Sequence, residues 1–224
     1  MRAAIRGVLF DLDDTLYNRQ EWFRGWADWF VREHLVLGEE LVAETIAFLA
    51  ELDGYGYAPR LDMFRTVKER WPVLAEDERQ LLRAFFDDQV GRVVLEPAAA
   101  ALIEALDEAG LPWGVVSNGS GNQIKKLERM GLASRARCII VSEMVGLKKP
   151  DPAIFQRAAA ELNLEPPTVL FVGDNPENDI AGATSAGMQT AWLKRALPWP
   201  DSLPNVRPNW TVTSLAELIG VWAA

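Results

Sequence analysis

The chain has 224 residues, of which 49% are hydrophobic, so it can bury a substantial core. Its formal net charge of -9 repels polyanions, which argues against nucleic acid or an anionic membrane and favours a small molecule as partner. The N-terminal residues form neither a signal-peptide pattern nor a membrane span, and we expect a cytoplasmic protein. A single cysteine, Cys138, excludes an internal disulfide and a cysteine-rich zinc site, and its apolar neighbours predict a buried, unreactive thiol.

Most of the chain alternates between short apolar runs and helical patterns. Residues 7–10 form an apolar run that ends in an acidic cluster, which predicts a buried strand followed by a loop. From about residue 96, prolines and glycines mark the starts and ends of further elements. We predict helices over 97–110, 122–130, 152–162, 179–186 and 214–221, and strands over 112–116, 138–141, 168–172 and 190–193. This order is typical of an α/β fold with a Rossmann-like parallel sheet and helices on both faces.

Between residues 17 and 94 this alternation stops, and apolar residues recur at helical spacing. The first such stripe consists of Trp22, Phe23, Trp26, Trp29 and Phe30. Further helices are predicted over about 41–52, 63–71 and 81–90. We expect an all-α domain at 17–94, inserted into an α/β core that is formed by 1–16 and 95–224. The stripe fits the core of a helix bundle best, but an exposed part of it would suit a dimer contact, so a monomer and a homodimer both stay open.

Polar side chains that can carry chemistry follow several of the predicted strands. In an open parallel sheet, the loops at the carboxyl ends of the strands converge on one crevice, where ligands bind. The residues at these positions are Asp11, Asp13, Thr15, Ser117, Asn118, Asp174 and Asp179. Carboxylates so close together repel one another unless a hard cation lies between them, and oxygen ligands with few histidines are typical of Mg²⁺ sites. The sequence therefore predicts magnesium as the cofactor.

A cation among carboxylates also attracts a phosphate group. Ser117 can offer a hydroxyl to the phosphate oxygens, and Lys149 can offer a positive charge. An aspartate can accept a phosphoryl group covalently, which makes Asp11 the candidate nucleophile. Asp13, two residues further on, can protonate the leaving oxygen and later deprotonate the hydrolytic water, provided that its neighbours raise its pKa.

Four segments resemble, in order, the four motifs of the haloacid dehalogenase superfamily. They are VLFDLDDTLY, VVSNGS, GLKKPDPAIF and FVGDNPENDIAGATSAGM, and together they span the whole predicted core. The resemblance implies a haloacid dehalogenase-like fold with a helical cap domain inserted after the first motif. It also implies a magnesium-dependent phosphatase that acts on a small phosphorylated metabolite through an aspartyl-phosphate intermediate.

The resemblance further implies a role for individual residues. The implied catalytic residues are Asp11, Asp13 and Lys149, the implied phosphate-binding residues are Thr15, Ser117, Asn118 and Lys149, and the implied metal ligands are Asp11, Asp13, Asp174 and Asp179. Asp11 is then the nucleophile, and Asp13 is the general acid and base, whose backbone carbonyl also binds the metal. Lys149 is preferred to Lys148 because the lysine of the family directly precedes a proline, here Pro150. Lys148 is expected to be solvated.

The same residues bear on the other activities that occur in this superfamily. Dehalogenases and phosphonate-cleaving members of the superfamily lack the second aspartate, so Asp13 favours phosphate esters. Asp14 stands where sugar phosphomutases generally have glycine, which argues only weakly against a phosphomutase or phosphotransferase, and that alternative stays open. A non-catalytic binding scaffold would lack a catalytic residue, and none is missing.

Two further features of the predicted insertion are weaker candidates. His34, the single histidine, lies on a predicted helix of the insertion, so no Ser-His-Asp triad can be assembled from the loops of the core, and a solvated position is expected. Residues 54–57, Gly-Tyr-Gly-Tyr, fit a flexible turn best. By resemblance, such a turn can also reach the leaving group of a substrate when the cap closes.

Overall fold

The computed structural model describes residues 3–35 and 37–223. The chain divides into two compact units, one formed by Met1–Asn18 with Val94–Ala224 and the other by Arg19–Val93. Within the described residues, the strands lie in the first unit, which we call the α/β unit, and Arg19–Val93, which we call the helical unit, contains helices only. The sequence predicts a core domain of 1–16 and 95–224 and a cap domain of 17–94. This division into core and cap stays a prediction.

The strands of the α/β unit form one parallel sheet. Over the described ranges they are β1 Gly7–Phe10, β2 Trp113–Ser117, β3 Cys138–Val141, β4 Val169–Gly173, β5 Gln189–Leu193 and β6 Trp210–Val212. Their order across the sheet is β3-β2-β1-β4-β5-β6, and every neighbouring pair is parallel. From β1, the chain adds β2 and β3 on one side of the sheet and then returns to add β4, β5 and β6 on the other side, so the strand order reverses between β1 and β4, as in Rossmann-like sheets. The predicted fold class is confirmed.

Helices account for most of the remaining residues. The α-helices are α1 Arg19–Phe30, α2 Glu39–Asp53, α3 Arg60–Arg70, α4 Glu78–Arg92, α5 Pro97–Glu108, α6 Asn122–Arg129, α7 Ser142–Val145, α8 Pro152–Glu161 and α9 Gly182–Ser185. Short π-helical turns cover Val31–Leu35 and Pro176–Ala181. Pro97 and Pro152 each open a helix, where a missing backbone N–H costs nothing. Among the helices of the described residues, none has both the length and the apolar character needed to cross a bilayer.

The interior strands β2, β1 and β4 are buried on both faces of the sheet, which explains why they are mainly continuous apolar runs rather than alternating ones. On one face, Leu9 of β1 belongs to the same buried cluster as Phe155 of α8 and Phe171 of β4. The rings of Phe155 and Phe171 meet edge to face at 4.8 Å. On the other face, Phe10 meets the ring of Trp113 edge to face at 6.4 Å. These contacts fix the strand ends that carry the polar residues.

Aromatic side chains dominate the core of the helical unit. Trp26 stacks on Phe30 at 5.0 Å and meets Phe85 edge to face at 4.7 Å. Phe64 of α3 adds a further edge-to-face contact to Trp26 at 6.1 Å. Trp29, which the sequence places in the same stripe, is 38% exposed, so the stripe contributes to the core only in part. Aromatic packing of this kind accounts for a stable helical unit without a sheet.

The structure departs from the sequence-based elements at the C-terminus. A helix over 214–221 is predicted, and Ser214 and Glu217 do form a capping box. The prediction is nevertheless wrong, because Ile219 is extended (φ -63°, ψ 122°) and ends the helix after a single 3₁₀ turn over Leu215–Leu218. Strand β6 and helix α7 are not predicted, since three and four residues are too few to show a periodic pattern.

Cys138 and His34, the single cysteine and the single histidine, both lie outside the acidic cluster. Cys138 is 5% exposed, and burial raises the pKa of its thiol to about 12, in keeping with the buried, unreactive thiol that the sequence predicts. His34 is half-buried, and its ring lies 4.9 Å from that of Trp29 and 5.3 Å from that of Phe30. His34 is therefore more enclosed than the solvated position expected from the sequence.

A buried ion cluster joins three helices of the helical unit. Asp53, at the end of α2, is 1% exposed and accepts two hydrogen bonds from Arg19, at 2.6 and 2.9 Å. Arg60, at the start of α3, lies 2.7 Å from the same carboxylate. The 3₁₀ turn that follows Asp53 carries Tyr55, which is 50% exposed and has a left-handed backbone (φ 55°). Contact between this turn and a substrate stays a prediction.

We expect the Asp53→Asn variant to lose about 3–5 kcal/mol of unfolding free energy, because it removes the charge of the buried carboxylate that both Arg19 and Arg60 contact. Urea unfolding of the purified variants measures this loss. The matched control is Asp62→Asn, which breaks an exposed pair with Arg65 and should change stability by less than about 0.5 kcal/mol. Equal stabilities of the two variants would contradict a structural role for the Asp53 cluster.

Candidate active site

Two aspartates lie where the strand order of the sheet reverses. Asp11 directly follows β1, and Asp174 directly follows β4, which is the hydrogen-bonded neighbour of β1. The backbone N–H of Asp11 donates to the carbonyl of Val172 at 2.9 Å, which continues the ladder one residue past the strand. In sheets of this kind, the carboxyl ends of the strands at such a reversal form the ligand crevice. The topology thus places Asp11 and Asp174 side by side at the edge of the sheet where ligands bind in folds of this kind.

Asp179 reaches the same place through a short helical turn. The Asn175 side chain accepts hydrogen bonds from the N–H groups of Glu177 and Asn178, at 3.0 and 2.8 Å, and so starts the π-helical turn Pro176–Ala181. Asp179 is 1% exposed, and its carboxylate accepts from the N–H of Asn175 at 3.0 Å. A Cβ atom on Gly173 would lie 2.4 Å from the Asp179 carboxylate, so only glycine leaves room for it.

Lys149 lies between two of these carboxylates. Its Nζ is 2.5 Å from Oδ1 of Asp11 and 2.6 Å from Oδ1 of Asp179, and the residue is 2% exposed. Burial opposes the charge of Lys149, but the two carboxylates outweigh burial and raise its pKa. Lys149 therefore carries a permanent positive charge at the centre of the site, whereas Lys148 is exposed to solvent, as the sequence predicts.

Three carboxylates crowd around this one ammonium group. Asp11, Asp174 and Asp179 each place an oxygen within 4.8 Å of the others. Burial raises the pKa of Asp11 to about 7, and burial together with the charges of Asp179, Asp11 and Asp14 raises the pKa of Asp174 well above its ordinary value. The ammonium of Lys149 does not balance the cluster, so ionising all three carboxylates requires further positive charge.

Two buried oxygens at the site also fit the binding of a positively charged group. Oδ1 of Asp174 and Oγ1 of Thr15 are buried, and neither atom has a hydrogen-bond partner among residues 3–35 and 37–223. Buried polar atoms in proteins are nearly always satisfied by protein, water or an ion. A set of carboxylate oxygens with no histidine or cysteine suits a hard divalent cation. The residues present therefore fit a cation held by Asp11, Asp174 and Asp179.

Ser117 and Asn118 lie at the end of β2, but their side chains have different surroundings. The Ser117 hydroxyl is buried and accepts a hydrogen bond from Nε2 of Gln123 at 2.6 Å. The Asn118 side chain donates to the carbonyl of Lys149 at 3.0 Å and accepts from its N–H at 2.9 Å. In this conformation the Asn118 amide positions the Lys149 backbone, so a phosphate contact by Asn118 would have to come from its main chain.

Asp13 differs from what the sequence led us to expect. Its Oδ1 accepts hydrogen bonds from Nζ of Lys126, at 2.7 Å, and from the hydroxyl of Tyr17, and its Oδ2 accepts from Nε2 of Gln123 at 2.6 Å. Burial would raise the pKa of Asp13, but the charge of Lys126 and the hydrogen bonds lower it below the ordinary value. The condition set for the acid role of Asp13, a pKa raised by its neighbours, is therefore not met in this conformation.

The sequence analysis did not identify Tyr17, Gln123 or Lys126 as site residues. Gln123 and Lys126 are 4% and 3% exposed, and their spacing of three residues places them on one face of α6 together with buried Leu127. A signal was available, because α6 begins directly after the loop that carries Ser117 and Asn118. Polar residues on the inner face of a helix that opens at the site are candidates for site contacts.

Comparisons with known proteins agree with this description. Fold and site together define a Rossmann-like α/β protein with an aspartate-rich centre. Residues 5–187 match the profile of the haloacid dehalogenase-like hydrolases. The chain belongs to the haloacid dehalogenase-like hydrolase family, and the sequence-based prediction of a phosphatase-like member of this family is confirmed.

Two relatives of known sequence are phosphatases. A phosphoserine phosphatase of Thermus thermophilus is 34% identical over 70% of this chain, and the match spans 62% of the length of that protein. A glyceraldehyde 3-phosphate phosphatase of Methanopyrus kandleri is 30% identical over 85% of this chain and 84% of that protein. Among solved structures, the hydrolase YfnB of Bacillus subtilis covers 99% of this chain and 100% of its own, with a TM-score of 0.74 and 23% identity. This likeness supports the fold.

We predict that Mg²⁺ or Mn²⁺ raises the melting temperature of the metal-free protein by roughly 5–10 °C at saturating concentration, because the cation relieves the repulsion among buried carboxylates. Asp174→Asn should abolish this increase and should raise the melting temperature measured in EDTA, since it removes one of the repelling charges. Differential scanning fluorimetry gives both numbers. Asp201→Asn, at an exposed position of the same unit, is the control. A cation response that survives in Asp174→Asn would exclude Asp174 as a ligand.

Proposed function

We propose that this chain is a magnesium-dependent phosphatase that hydrolyses small phosphate monoesters through an aspartyl-phosphate on Asp11. The observation that carries the proposal is the arrangement of Asp11, Asp174 and Asp179 around Lys149, with the nucleophile candidate 2.5 Å from the ammonium. Such a site favours binding of a phosphate group only when a cation joins it, since the carboxylates alone would repel the substrate. Mg²⁺ suits the all-oxygen ligands, with Asp174, Asp179, one oxygen of Asp11 and the carbonyl of Asp13 as proposed ligands.

The first half of the proposed reaction forms a bond between Asp11 and the phosphorus. An oxygen of Asp11 attacks the phosphorus, the bond to the ester oxygen breaks, and Asp13 gives a proton to the leaving alkoxide. Lys149 and the Ser117 hydroxyl stabilise the phosphoryl oxygens, and Thr15 orients the group. When bound, Mg²⁺ neutralises the charge that gathers on the transferring group.

The second half releases inorganic phosphate. Asp13, now a carboxylate, takes a proton from a water molecule, the water oxygen attacks the phosphorus, and the bond to Asp11 breaks. The lowered pKa of Asp13 keeps its carboxylate ionised in this conformation, which is the form that the second step requires, whereas the first step requires the protonated form. Asp13 therefore has to acquire its proton in a different environment, which substrate binding would have to create.

The proposed substrates are small phosphorylated metabolites. The phosphoserine and glyceraldehyde 3-phosphate phosphatases similar to this chain suggest the first compounds to test. We propose that the helical unit acts as the cap, approximately residues 17–94, and selects the substrate. Release of phosphate from a panel of phosphorylated metabolites in the presence of Mg²⁺ tests the proposal. Transfer of the phosphoryl group to an added sugar, rather than to water, would indicate a phosphotransferase.

Replacement of the nucleophile tests the covalent route. Asp11→Asn keeps the size of the side chain but removes the attacking oxygen, so we expect less than a few per cent of wild-type turnover of 4-nitrophenyl phosphate, with an unchanged circular dichroism spectrum. Asp201→Asn, an exposed aspartate of the same unit, should retain full activity. Substantial turnover by Asp11→Asn would mean that water attacks the phosphorus directly.

The role of Asp13 predicts a dependence on the leaving group. Asp13→Asn should reduce hydrolysis of an alkyl ester such as glycerol 3-phosphate by about 10²–10⁴, because an alkoxide leaves poorly without a proton. With 4-nitrophenyl phosphate, the first step should survive and the second should stall, so that a phosphoenzyme accumulates. Intact-protein mass spectrometry detects the added phosphoryl group. Wild-type rates on the alkyl ester would remove Asp13 from the mechanism.

A further inference from the structure

Helix α6 directs two buried polar side chains at the carboxylate of Asp13. Lys126 donates to Oδ1 at 2.7 Å, and Gln123 donates to Oδ2 at 2.6 Å. The motifs that the sequence shares with the family assign no role to either residue. Asp13 is thus held at both of its oxygens by one helix, although the two residues lie 110 and 113 positions away along the chain.

Gln123 also connects Asp13 with the proposed phosphate-binding hydroxyl. Its Nε2 lies 2.6 Å from Oγ of Ser117 as well as 2.6 Å from Oδ2 of Asp13, so the two N–H groups of one amide serve two proposed site residues. Gly119 leaves space for this side chain, because a Cβ atom there would lie 3.2 Å from Cγ of Gln123. A shift of α6 would therefore move Asp13 and Ser117 together.

Hydrogen bonds to both carboxylate oxygens restrict the rotamers that Asp13 can adopt. The side chain of Asp13 is 27% exposed, whereas that of Lys126 is 4% exposed. An unrestrained carboxylate on a loop would sample several rotamers, most of which point away from a leaving oxygen. Catalysis requires a proton-transfer group within hydrogen-bonding distance of the reacting atom, and small displacements reduce rates severely.

We propose that Lys126 and Gln123 form a positioning clamp for Asp13, which sets the direction of its carboxylate relative to Ser117 during phosphoryl transfer. Neither residue needs to touch the substrate. The proposal rests on the proposed function, because Asp13 must be the proton-transfer group for its direction to matter. A burial-only role for Lys126, in which Asp13 is merely its counter-ion, is the competing explanation.

The two explanations differ in how the variants combine. If Lys126 acts through Asp13, Lys126→Met should reduce kcat for phenyl phosphate by roughly 10–100-fold, with KM changed by less than about threefold. In the Asp13→Asn background, the same substitution should cost less than about twofold, because nothing remains to be positioned. Lys126→Arg should recover part of the rate. Lys125→Met, an exposed lysine on the same helix, is the matched control and should be neutral.

The leaving group provides a second readout. The loss caused by Lys126→Met should be smaller for 4-nitrophenyl phosphate than for phenyl phosphate, because nitrophenolate needs less help from a proton donor. If Lys126→Met fails to fold, as judged by its melting curve, Gln123→Met replaces it with less disturbance of charge, and the part of its loss that passes through Asp13 rather than Ser117 should disappear in the Asp13→Asn background. Equal losses in the wild-type and Asp13→Asn backgrounds would overturn the clamp, as would full activity of Lys126→Met and Gln123→Met.

Failure of the proposed function gives a different result. If the wild-type protein releases no phosphate from either aryl ester or from the metabolite panel, the proposed function itself is wrong. If the wild-type protein is active and Asp13→Asn is impaired, but the α6 variants behave like Lys125→Met, only the clamp is wrong. The cycle of wild type, two single variants and one double variant therefore separates the two claims.

Discussion

Repulsion among buried carboxylates is the constraint on which the site depends. Asp11, Asp174 and Asp179 place oxygens within 4.8 Å of one another, and Lys149 is the positive charge between them. The parallel sheet makes this crowding possible, because β1 and β4 are neighbours and their carboxyl ends open on the same crevice. Burial strengthens the repulsion and raises the pKa of Asp11 and Asp174. A divalent cation held by these oxygens would relieve the repulsion, and the proposed approach of a phosphate ester depends on such a cation.

Much of this arrangement follows from the sequence by simple physical rules. Strand β3 is predicted with its observed limits, and the helices that open at Pro97 and Pro152 are predicted with their observed first residues, because prolines and continuous apolar runs mark them clearly. The sequence places Asp11 and Asp174 at one edge of the sheet because each lies at the end of a predicted buried strand. The prediction of a C-terminal helix over 214–221 is wrong because a helix start at Ser214 does not determine where the helix ends.

The surroundings of Asp13 could not be predicted in the same way. Lys126 lies in the sequence QIKKLER, where two adjacent lysines resemble the exposed face of an ordinary helix. Only the three-dimensional packing of α6 shows that Lys126 is buried and Lys125 is not. The position of α6 directly after the loop of Ser117 and Asn118 marks its inner face as a candidate for site contacts, but the pairing of Lys126 with Asp13 depends on tertiary contacts. The lowered pKa of Asp13 could not be foreseen for this reason, since Lys126 lies 113 residues away along the chain.

We propose that the carboxylate cluster binds a divalent cation next to a nucleophilic Asp11. Crystals grown with Mn²⁺ and beryllium fluoride, an analogue of a phosphoryl group, would test this proposal. We expect an anomalous difference peak within about 2.3 Å of oxygens from Asp11, Asp174 or Asp179, and beryllium joined to the other oxygen of Asp11 beside Lys149. A manganese peak elsewhere, or beryllium fluoride away from Asp11 in the presence of the cation, would contradict it.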